Sequence, residues 1–197
     1  MTDQYGRTID YMRISVTDRC NLRCVYCMPE SGVRDIPHSE IMRYGEILRV
    51  VRAAADLGIR KIRVTGGEPL VRRDLDFLIR GIRRTEGIRS IGLTTNGVLF
   101  AQQGEALTAA GLDAVNFSLD SLDPAAFASI TRRDALPEVL EGIRLSLKLG
   151  LRTKINCVPL HGADEDGLVR LAGLAKLYPL DVRFIELMPI GQGRSFS

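Results

Sequence analysis

The chain has 197 residues, of which 45% are hydrophobic and 26% are charged, and its net charge is +3. This length suits one domain with a sizeable core, and the composition is typical of soluble globular proteins. The small net charge does not argue for nucleic acid, no apolar run is long enough to span a bilayer, and residues 1–7 lack a signal-peptide pattern. We therefore expect a cytoplasmic protein with reduced thiols that binds neither nucleic acid nor membrane.

The hydrophobic pattern predicts six strands that alternate with helices. The predicted strands are Tyr11–Val16, Lys61–Thr65, Ser90–Thr95, Ala114–Leu119, Thr153–Val158 and Val182–Leu187. The predicted helices cover about 40–57, 74–85, 100–110, a short segment from 124, 137–149 and 164–177. This alternation indicates a parallel sheet with crossover helices in one domain over residues 1–190, and we expect residues 191–197 to form a flexible tail.

Four of the predicted strands carry polar side chains on one face, although buried parallel strands are usually apolar on both faces. The polar face includes cations from three strands, namely Arg13, Arg63 and Lys154. Convergent cations are typical of a site for phosphates or carboxylates, and a closed barrel filled by side chains would not accommodate them. We therefore predict an α/β fold, a parallel six-stranded partial (β/α)6 TIM-type barrel around a wet, ligand-filled lumen. An uncovered sheet whose polar face meets solvent is the alternative.

Three cysteines, Cys20, Cys24 and Cys27, follow the first predicted strand, and Tyr26 precedes the last of them. Thiolates are soft ligands that suit iron–sulfur clusters, zinc and copper(I). Closed zinc sites and electron-transfer cubane clusters both need four protein ligands. Three clustered thiolates without a fourth nearby favour a cubane cluster with one iron open to a non-protein ligand. A zinc knuckle, or a chance group of loop cysteines, is the alternative.

The second motif is the turn Gly66-Gly67-Glu68-Pro69 at the end of the second predicted strand. Ligands in folds of this kind lie at the carboxyl ends of the strands, so we expect this turn and the cysteine loop at one end of the sheet. The two glycines predict close approach of the backbone to a ligand, and Pro69 fixes the turn. Alone, such a turn could be any strand-to-helix connection.

In this order, Cys-x-x-x-Cys-x-x-Cys followed by Gly-Gly-Glu-Pro resembles the signature of the radical S-adenosylmethionine (SAM) enzymes. The resemblance implies that Cys20, Cys24 and Cys27 hold a 4Fe-4S cluster whose open iron binds the amino and carboxylate groups of SAM. It further implies that one electron from a donor, passed through the cluster, releases a 5′-deoxyadenosyl radical. The cofactor would thus carry the difficult chemistry, and no side chain is expected to be catalytic.

Six further segments resemble the branch of this superfamily that acts on GTP in molybdenum cofactor biosynthesis; they are residues 13–21, 61–70, 92–97, 116–120, 154–156 and 183–186. The resemblance implies a radical lyase that converts GTP to 3′,8-cyclo-7,8-dihydroguanosine 5′-triphosphate. It implies that four residues contact SAM, namely Tyr26, Gly67, Ser118 and Met188. It implies that four others contact GTP, namely Arg13, Arg63, Thr94 and Lys154.

Members of that branch carry a second 4Fe-4S cluster on three later cysteines, whereas this chain has one further cysteine, Cys157, on the apolar face of the fifth predicted strand. That position indicates a small buried hydrophobe rather than a ligand. We therefore expect an incomplete form of the enzyme that binds the first cluster only, with an open sheet edge that favours a homodimer or other self-association. The alternatives are a radical SAM enzyme acting on another substrate, such as a peptide, and a non-enzymatic zinc or iron–sulfur module.

Overall fold

The computed structural model describes residues 2–32, 36–37 and 39–196. Within these ranges, six strands alternate with six α-helices, as the hydrophobic pattern predicts. The strands are β1 Tyr11–Ser15, β2 Lys61–Thr65, β3 Ser90–Thr95, β4 Ala114–Ser118, β5 Arg152–Cys157 and β6 Leu180–Phe184. The helices are α1 Tyr44–Asp56, α2 Leu75–Arg83, α3 Phe100–Ala109, α4 Pro124–Thr131, α5 Leu136–Lys148 and α6 Glu165–Leu177. Short 3-10 helices cover Pro69–Val71 and Gly191–Ser195.

The six strands form one parallel sheet in the order β1-β2-β3-β4-β5-β6. Each strand therefore pairs with the strand that follows it in the chain, and every crossover advances by one strand in the same direction. Repeated right-handed crossovers of this kind place the helices on one side of a curving sheet. The sheet is confirmed as the predicted partial (β/α)6 TIM-type barrel, with β1 and β6 as its outer strands.

The hydrophobic core lies between one face of the sheet and the helices. In β2, Ile62 and Val64 are buried, whereas Arg63 between them is only half-buried on the opposite face. Phe100 of α3 and Phe117 of β4 are both buried and meet edge to face, with ring centroids 5.2 Å apart. Burial of such a side chain contributes about 1.5–3 kcal/mol each, so this layer stabilises the sheet and leaves the other face to polar groups.

Helix α4 shows how local sequence sets the path of the chain beside the cysteines. It begins with Pro124, which needs no N–H partner in a first turn, and the Asp123 carboxylate accepts the N–H of Ala126 at 2.8 Å. It ends at Arg132, a non-glycine residue in the left-handed conformation with φ 56° and ψ 28°. The chain turns sharply there and presents the last carbonyl groups of the helix to the loop after β1.

Two predicted boundaries are wrong by three or more residues, the end of strand six and the start of the first helix. Strand six was predicted at Val182–Leu187 but spans Leu180–Phe184, because its register with β5 runs from Thr153↔Leu180 to Cys157↔Phe184. The apolar residues after Phe184 carry the hydrophobic pattern past the end of the pairing. The first helix begins at Tyr44 rather than near residue 40.

Residues Gly191–Ser195 form a 3-10 helix inside the segment predicted as a tail, whose flexibility stays a prediction. Within the residues that the structure describes, no helix has both the length and the apolar character needed to cross a membrane.

Candidate active site

The turn after β2 lies directly against the cysteine loop. The N–H of Gly67 donates to the carbonyl oxygen of Thr17 at 2.7 Å, and the N–H of Glu68 donates to that of Arg19 at 2.7 Å. A Cβ added to Gly66 would lie 2.6 Å from the Thr17 oxygen, and one added to Gly67 would lie 2.4 Å from the Arg19 oxygen. The glycines are therefore required because protein backbone packs against them. The close approach of these glycines to a ligand stays a prediction.

The end of α4 supports the other side of the loop. The backbone N–H of Arg23 donates to the Thr131 carbonyl at 3.0 Å. The guanidinium of Arg132 donates to the carbonyl oxygens of Arg23 at 2.8 Å and Met28 at 3.2 Å. The loop that carries the three cysteines is thus fixed by main-chain contacts from two parts of the barrel.

The three thiols lie in one partly buried environment. Cys20 and Cys24 are half-buried and Cys27 is exposed. Burial raises the pKa of all three thiols, and it raises that of Cys24 to about 12, helped by the nearby Asp120 carboxylate and the other two thiols. The thiols therefore lie close enough to influence one another electrostatically.

No three histidine, cysteine or acidic side chains converge on a single metal ion within the described ranges. The soft donors that the loop does offer are the thiols of Cys20, Cys24 and Cys27, and three thiolates are a donor set that fits an iron–sulfur cluster.

A half-buried pair links Tyr26 to the end of β4. The Tyr26 hydroxyl donates to Asp120 Oδ2 at 2.7 Å, and Asp120 Oδ1 accepts the N–H of Val158 at 2.8 Å. Burial raises the pKa of both side chains, and the Asp120 charge raises that of Tyr26 further. Asp120 had no predicted role. Two signals could have pointed to it. A partly buried tyrosine hydroxyl usually has a hydrogen-bond partner, and Asp120 directly follows the fourth predicted strand.

A second buried carboxylate ties the Gly-Gly-Glu-Pro turn to the end of β3. Glu68 is 1% exposed, and its Oε1 accepts the N–H of Leu70 at 3.0 Å and the hydroxyl of Thr95 at 2.7 Å. Its Oε2 accepts the N–H of Asn96 at 2.6 Å. Burial raises the pKa of Glu68, although these hydrogen bonds oppose the rise. The carboxylate therefore fixes the ends of β2 and β3 relative to each other.

The concave face of the sheet carries the predicted cations. Register pairs Arg13 with Arg63, and it places Thr94, Asn116 and Lys154 in one row across β3, β4 and β5. Residues paired in this way point to the same side of a sheet. The predicted alternation is therefore confirmed, and all four residues expected to contact GTP lie on this face.

A cavity of about 590 Å³ opens at the amino ends of the strands, since its lining includes the first residue of each of the six strands. Its charged lining residues are Lys61, Arg63, Arg152, Lys154 and Asp181. Four of these five are cations, although an ion pair with Asp10 at 3.0 Å partly neutralises Lys61. The cavity therefore suits a polyanionic ligand.

Arg63 and Lys154 each have a partner on a neighbouring strand. Arg63 donates to the Leu93 carbonyl at 3.1 Å and lies over Gly92, where an added Cβ would be 2.7 Å from the guanidinium carbon. Burial and the neighbouring cation Arg183 lower the pKa of Arg63. Lys154 forms an ion pair with Asp181. A glycine at position 92 thus leaves room for the Arg63 guanidinium above β3.

The predicted SAM contacts lie at the opposite end of the sheet. Tyr26 is in the cysteine loop, Gly67 is in the turn after β2, and Ser118 is the last residue of β4. Met188 lies beyond β6 and is 68% exposed. The structure therefore places the thiols and three of these residues at the carboxyl ends of the strands, with the cation-lined cavity at the amino ends.

A six-stranded parallel partial barrel with three thiols and a Gly-Gly-Glu-Pro turn at the carboxyl ends of its strands defines a radical SAM core. The chain belongs to the Radical SAM superfamily, whose family profile matches residues 14–175. Members of this family bind a 4Fe-4S cluster and SAM.

Its curated relatives include proteins named GTP 3′,8-cyclase. The chain is 54% identical over 193 residues to the one from Desulforamulus reducens, covering 98% of this chain and 59% of that protein. It is 54% identical over 198 residues to the one from Pelotomaculum thermopropionicum, covering 100% of this chain and 61% of that protein. The chain therefore spans less than two thirds of the length of these relatives.

Solved structures support the fold. Streptococcus suis SuiB bound to its precursor peptide SuiA aligns with a TM-score of 0.81 and 18% identity, over 95% of this chain and 42% of that one. Methylornithine synthase (PylB) aligns with a TM-score of 0.73 and 15% identity, over 91% of this chain and 53% of that one. At these identities the similarity concerns the barrel alone.

Proposed function

We propose that this chain is the SAM-cleaving and GTP-binding part of a GTP 3′,8-cyclase, a radical lyase of molybdenum cofactor biosynthesis. The product of the complete enzyme is 3′,8-cyclo-7,8-dihydroguanosine 5′-triphosphate. The observation that carries the proposal is the group of cations on the concave face, of which Arg63 and Lys154 line a cavity on the same barrel as the cysteine loop. The names of the relatives at 54% identity support it.

In this proposal Cys20, Cys24 and Cys27 hold the 4Fe-4S cluster, and the loop contacts from Gly67 and Arg132 keep them in place. When bound, the reduced cluster supplies the electron that cleaves SAM to the 5′-deoxyadenosyl radical. SAM is contacted by Tyr26, Gly67, Ser118 and Met188. An external electron donor is required, as for other members of the family.

The proposed GTP site lies on the concave face, toward the amino ends of the strands. Arg13, Arg63 and Lys154 bind the phosphates of GTP, and the Thr94 hydroxyl contributes a further hydrogen bond. Because Lys154 forms an ion pair with Asp181, an incoming phosphate competes with this carboxylate for the ammonium group. Without a ligand, the ion pair with Asp181 holds the Lys154 ammonium group on the concave face.

A second cluster is not proposed for this chain. Cys157, the remaining cysteine, is fully buried, and its Sγ contacts the Asp120 carbonyl oxygen at 3.6 Å. We propose that cyclisation of GTP requires further segments of the longer relatives, whereas SAM cleavage does not.

GTP binding tests the substrate assignment. Arg63→Ala and Lys154→Ala are each expected to weaken GTP binding roughly ten- to hundredfold, because a hydrogen bond to a charged group contributes about 1.5–3 kcal/mol. Isothermal titration calorimetry is the measurement, with guanosine as the ligand that lacks phosphates. Arg84→Ala and Lys148→Ala, at the ends of α2 and α5, are matched controls. Equal binding of GTP and guanosine by the unmodified chain would refute the phosphate assignment.

Anaerobic reconstitution with iron and sulfide tests the cluster assignment. We expect about four irons per chain, the stoichiometry of a cubane, and release of 5′-deoxyadenosine from SAM after chemical reduction. Replacing any one of the three loop cysteines by alanine abolishes the release, whereas Cys157→Ala leaves the iron content unchanged. A colourless protein that binds one zinc would instead support the non-enzymatic alternative.

Light scattering tests the predicted homodimer.

A further inference from the structure

A chain of hydrogen bonds connects the buried Glu68 carboxylate to the sulfur of Cys20. Glu68 Oε2 accepts the backbone N–H of Asn96 at 2.6 Å. The side-chain Nδ2 of Asn96 then donates to Asn21 Oδ1 at 2.7 Å and to Cys20 Sγ at 3.8 Å. The end of β3 thus contacts one of the three proposed cluster ligands.

The orientation of the Asn96 amide follows from its partners. Its Oδ1 faces the backbone N–H of Val98 at 3.1 Å, and a backbone N–H can only donate. The amide nitrogen must therefore face Cys20 and Asn21. Glu68 fixes the backbone of Asn96, and Val98 and Asn21 fix the two ends of its side-chain amide.

The sulfur of Cys20 accepts hydrogen bonds from two N–H groups. Besides Asn96, the backbone N–H of Leu22 donates to Cys20 Sγ at 3.4 Å. Hydrogen bonds to cysteine sulfurs help to set the reduction potential of iron–sulfur clusters, because an N–H dipole stabilises the additional negative charge of the reduced state. A backbone donor cannot be altered by substitution, but the Asn96 side chain can.

We propose that Asn96 is a positioning residue that donates a hydrogen bond to the Cys20 thiolate and raises the reduction potential of the cluster. This inference rests on the proposed role of Cys20 as a cluster ligand. Asn96 therefore makes the cluster easier to reduce by the electron donor, and Glu68 acts through it by fixing the end of β3.

Three variants separate this role from a structural one. Asn96→Asp keeps the shape of the side chain and the acceptor for Val98 but replaces the donor by a charged oxygen. Asn96→Ala removes both groups, and Asn96→Ser supplies a shorter side chain that retains one donor. Gln103→Glu is the matched control, because it also changes an amide to a carboxylate, at a side chain that donates to the Leu70 carbonyl at 3.0 Å and not to the loop.

The measurement is an anaerobic potentiometric titration of the reconstituted cluster, followed by electron paramagnetic resonance. We expect the midpoint potential to shift to more negative values in Asn96→Ala and further in Asn96→Asp. Asn96→Ser is expected to lie between Asn96→Ala and the unmodified chain, with iron content unchanged in all three. The Gln103→Glu variant keeps the original potential.

Two results would overturn the inference. One is an unchanged potential in the Asn96 variants at full iron content, and the other is an equal shift in Gln103→Glu. Failure of the unmodified chain to bind iron is a different outcome, because it removes the proposed cluster itself and the inference with it. If Asn96→Asp binds no iron, the comparison of Asn96→Ala with Asn96→Ser still decides the question.

Discussion

The buried carboxylate of Glu68 allows the sharpest test of how this site is built. Replacing it by alanine leaves three donors without an acceptor, the N–H groups of Leu70 and Asn96 and the hydroxyl of Thr95. The hydroxyl can rotate toward another acceptor, whereas the two backbone donors cannot. Each buried donor left unsatisfied costs about 1–3 kcal/mol, so the two together cost roughly 2–6 kcal/mol.

One effect opposes this loss. Burial raises the pKa of Glu68, which means that the folded state carries a cost for holding the charge. Removing the charge also removes that cost. We therefore expect Glu68→Ala to lower the free energy of unfolding by about 2–4 kcal/mol, the lower part of the range for two unsatisfied donors. Glu68→Gln keeps one acceptor oxygen but turns an NH2 group toward at least one of the same donors. Its expected loss is about 1–3 kcal/mol.

Urea unfolding of the chain without added iron, followed by circular dichroism, measures both losses. Glu105→Gln and Glu105→Ala on the exposed side of α3 are the controls, and surface changes of this kind stay within about 0.5 kcal/mol. If Glu68→Ala and Glu105→Ala lose the same amount, the two backbone donors are not held by Glu68 and the account of this network is wrong.

Three further predictions follow from the same region. Gly67→Ala is expected to lose at least about 2 kcal/mol, because its Cβ would lie 2.4 Å from a backbone oxygen, whereas Gly45→Ala, with nothing within 4 Å, is expected to be neutral or stabilising in the same urea assay. Arg132→Ala and Arg132→Gly lose the same contacts to the loop, but glycine relieves the left-handed backbone. The alanine variant should therefore be less stable by about 1 kcal/mol, and equal stabilities would mean that the backbone is unstrained. Because the pKa of Glu68 is raised above 4.5, the folded protein binds this proton more tightly than the unfolded chain. The contribution of Glu68 to stability is therefore greatest below pH 4.5 and falls as the pH rises through the raised pKa. Unfolding of the chain and of Glu68→Gln at several pH values measures this, and a difference that does not change with pH would contradict it.

Much of the fold could be predicted because its pattern is local. The bounds of β2 and β3 follow from their apolar periodicity and flanking turns. The alternation of Ile62 and Arg63 predicted a polar concave face, and the register of the strands confirms it. The carboxyl-end placement of the cysteine loop followed from the parallel arrangement alone.

The side-chain network could not be predicted, because its partners are far apart in sequence. Tyr26 and Asp120 are separated by 94 positions, and Glu68 and Asn96 by 28. Such contacts depend on how strand order and loop path bring the strand ends together. The end of β6 is a similar case, because the strand ends where its pairing with β5 ends, at Phe184, although the hydrophobic pattern continues to Leu187.

The main-chain bonds that support the cysteine loop have a consequence for how metal enters. These bonds join the loop to the rest of the protein without any metal. The conformational entropy of the loop is therefore lost when the chain folds, and metal binding does not have to offset that loss. Zinc fingers behave in the opposite way, since chelation unfolds them. For the proposed cluster, oxygen damage or chelation is therefore expected to remove iron while the barrel keeps its shape, so that the same molecule can be reloaded.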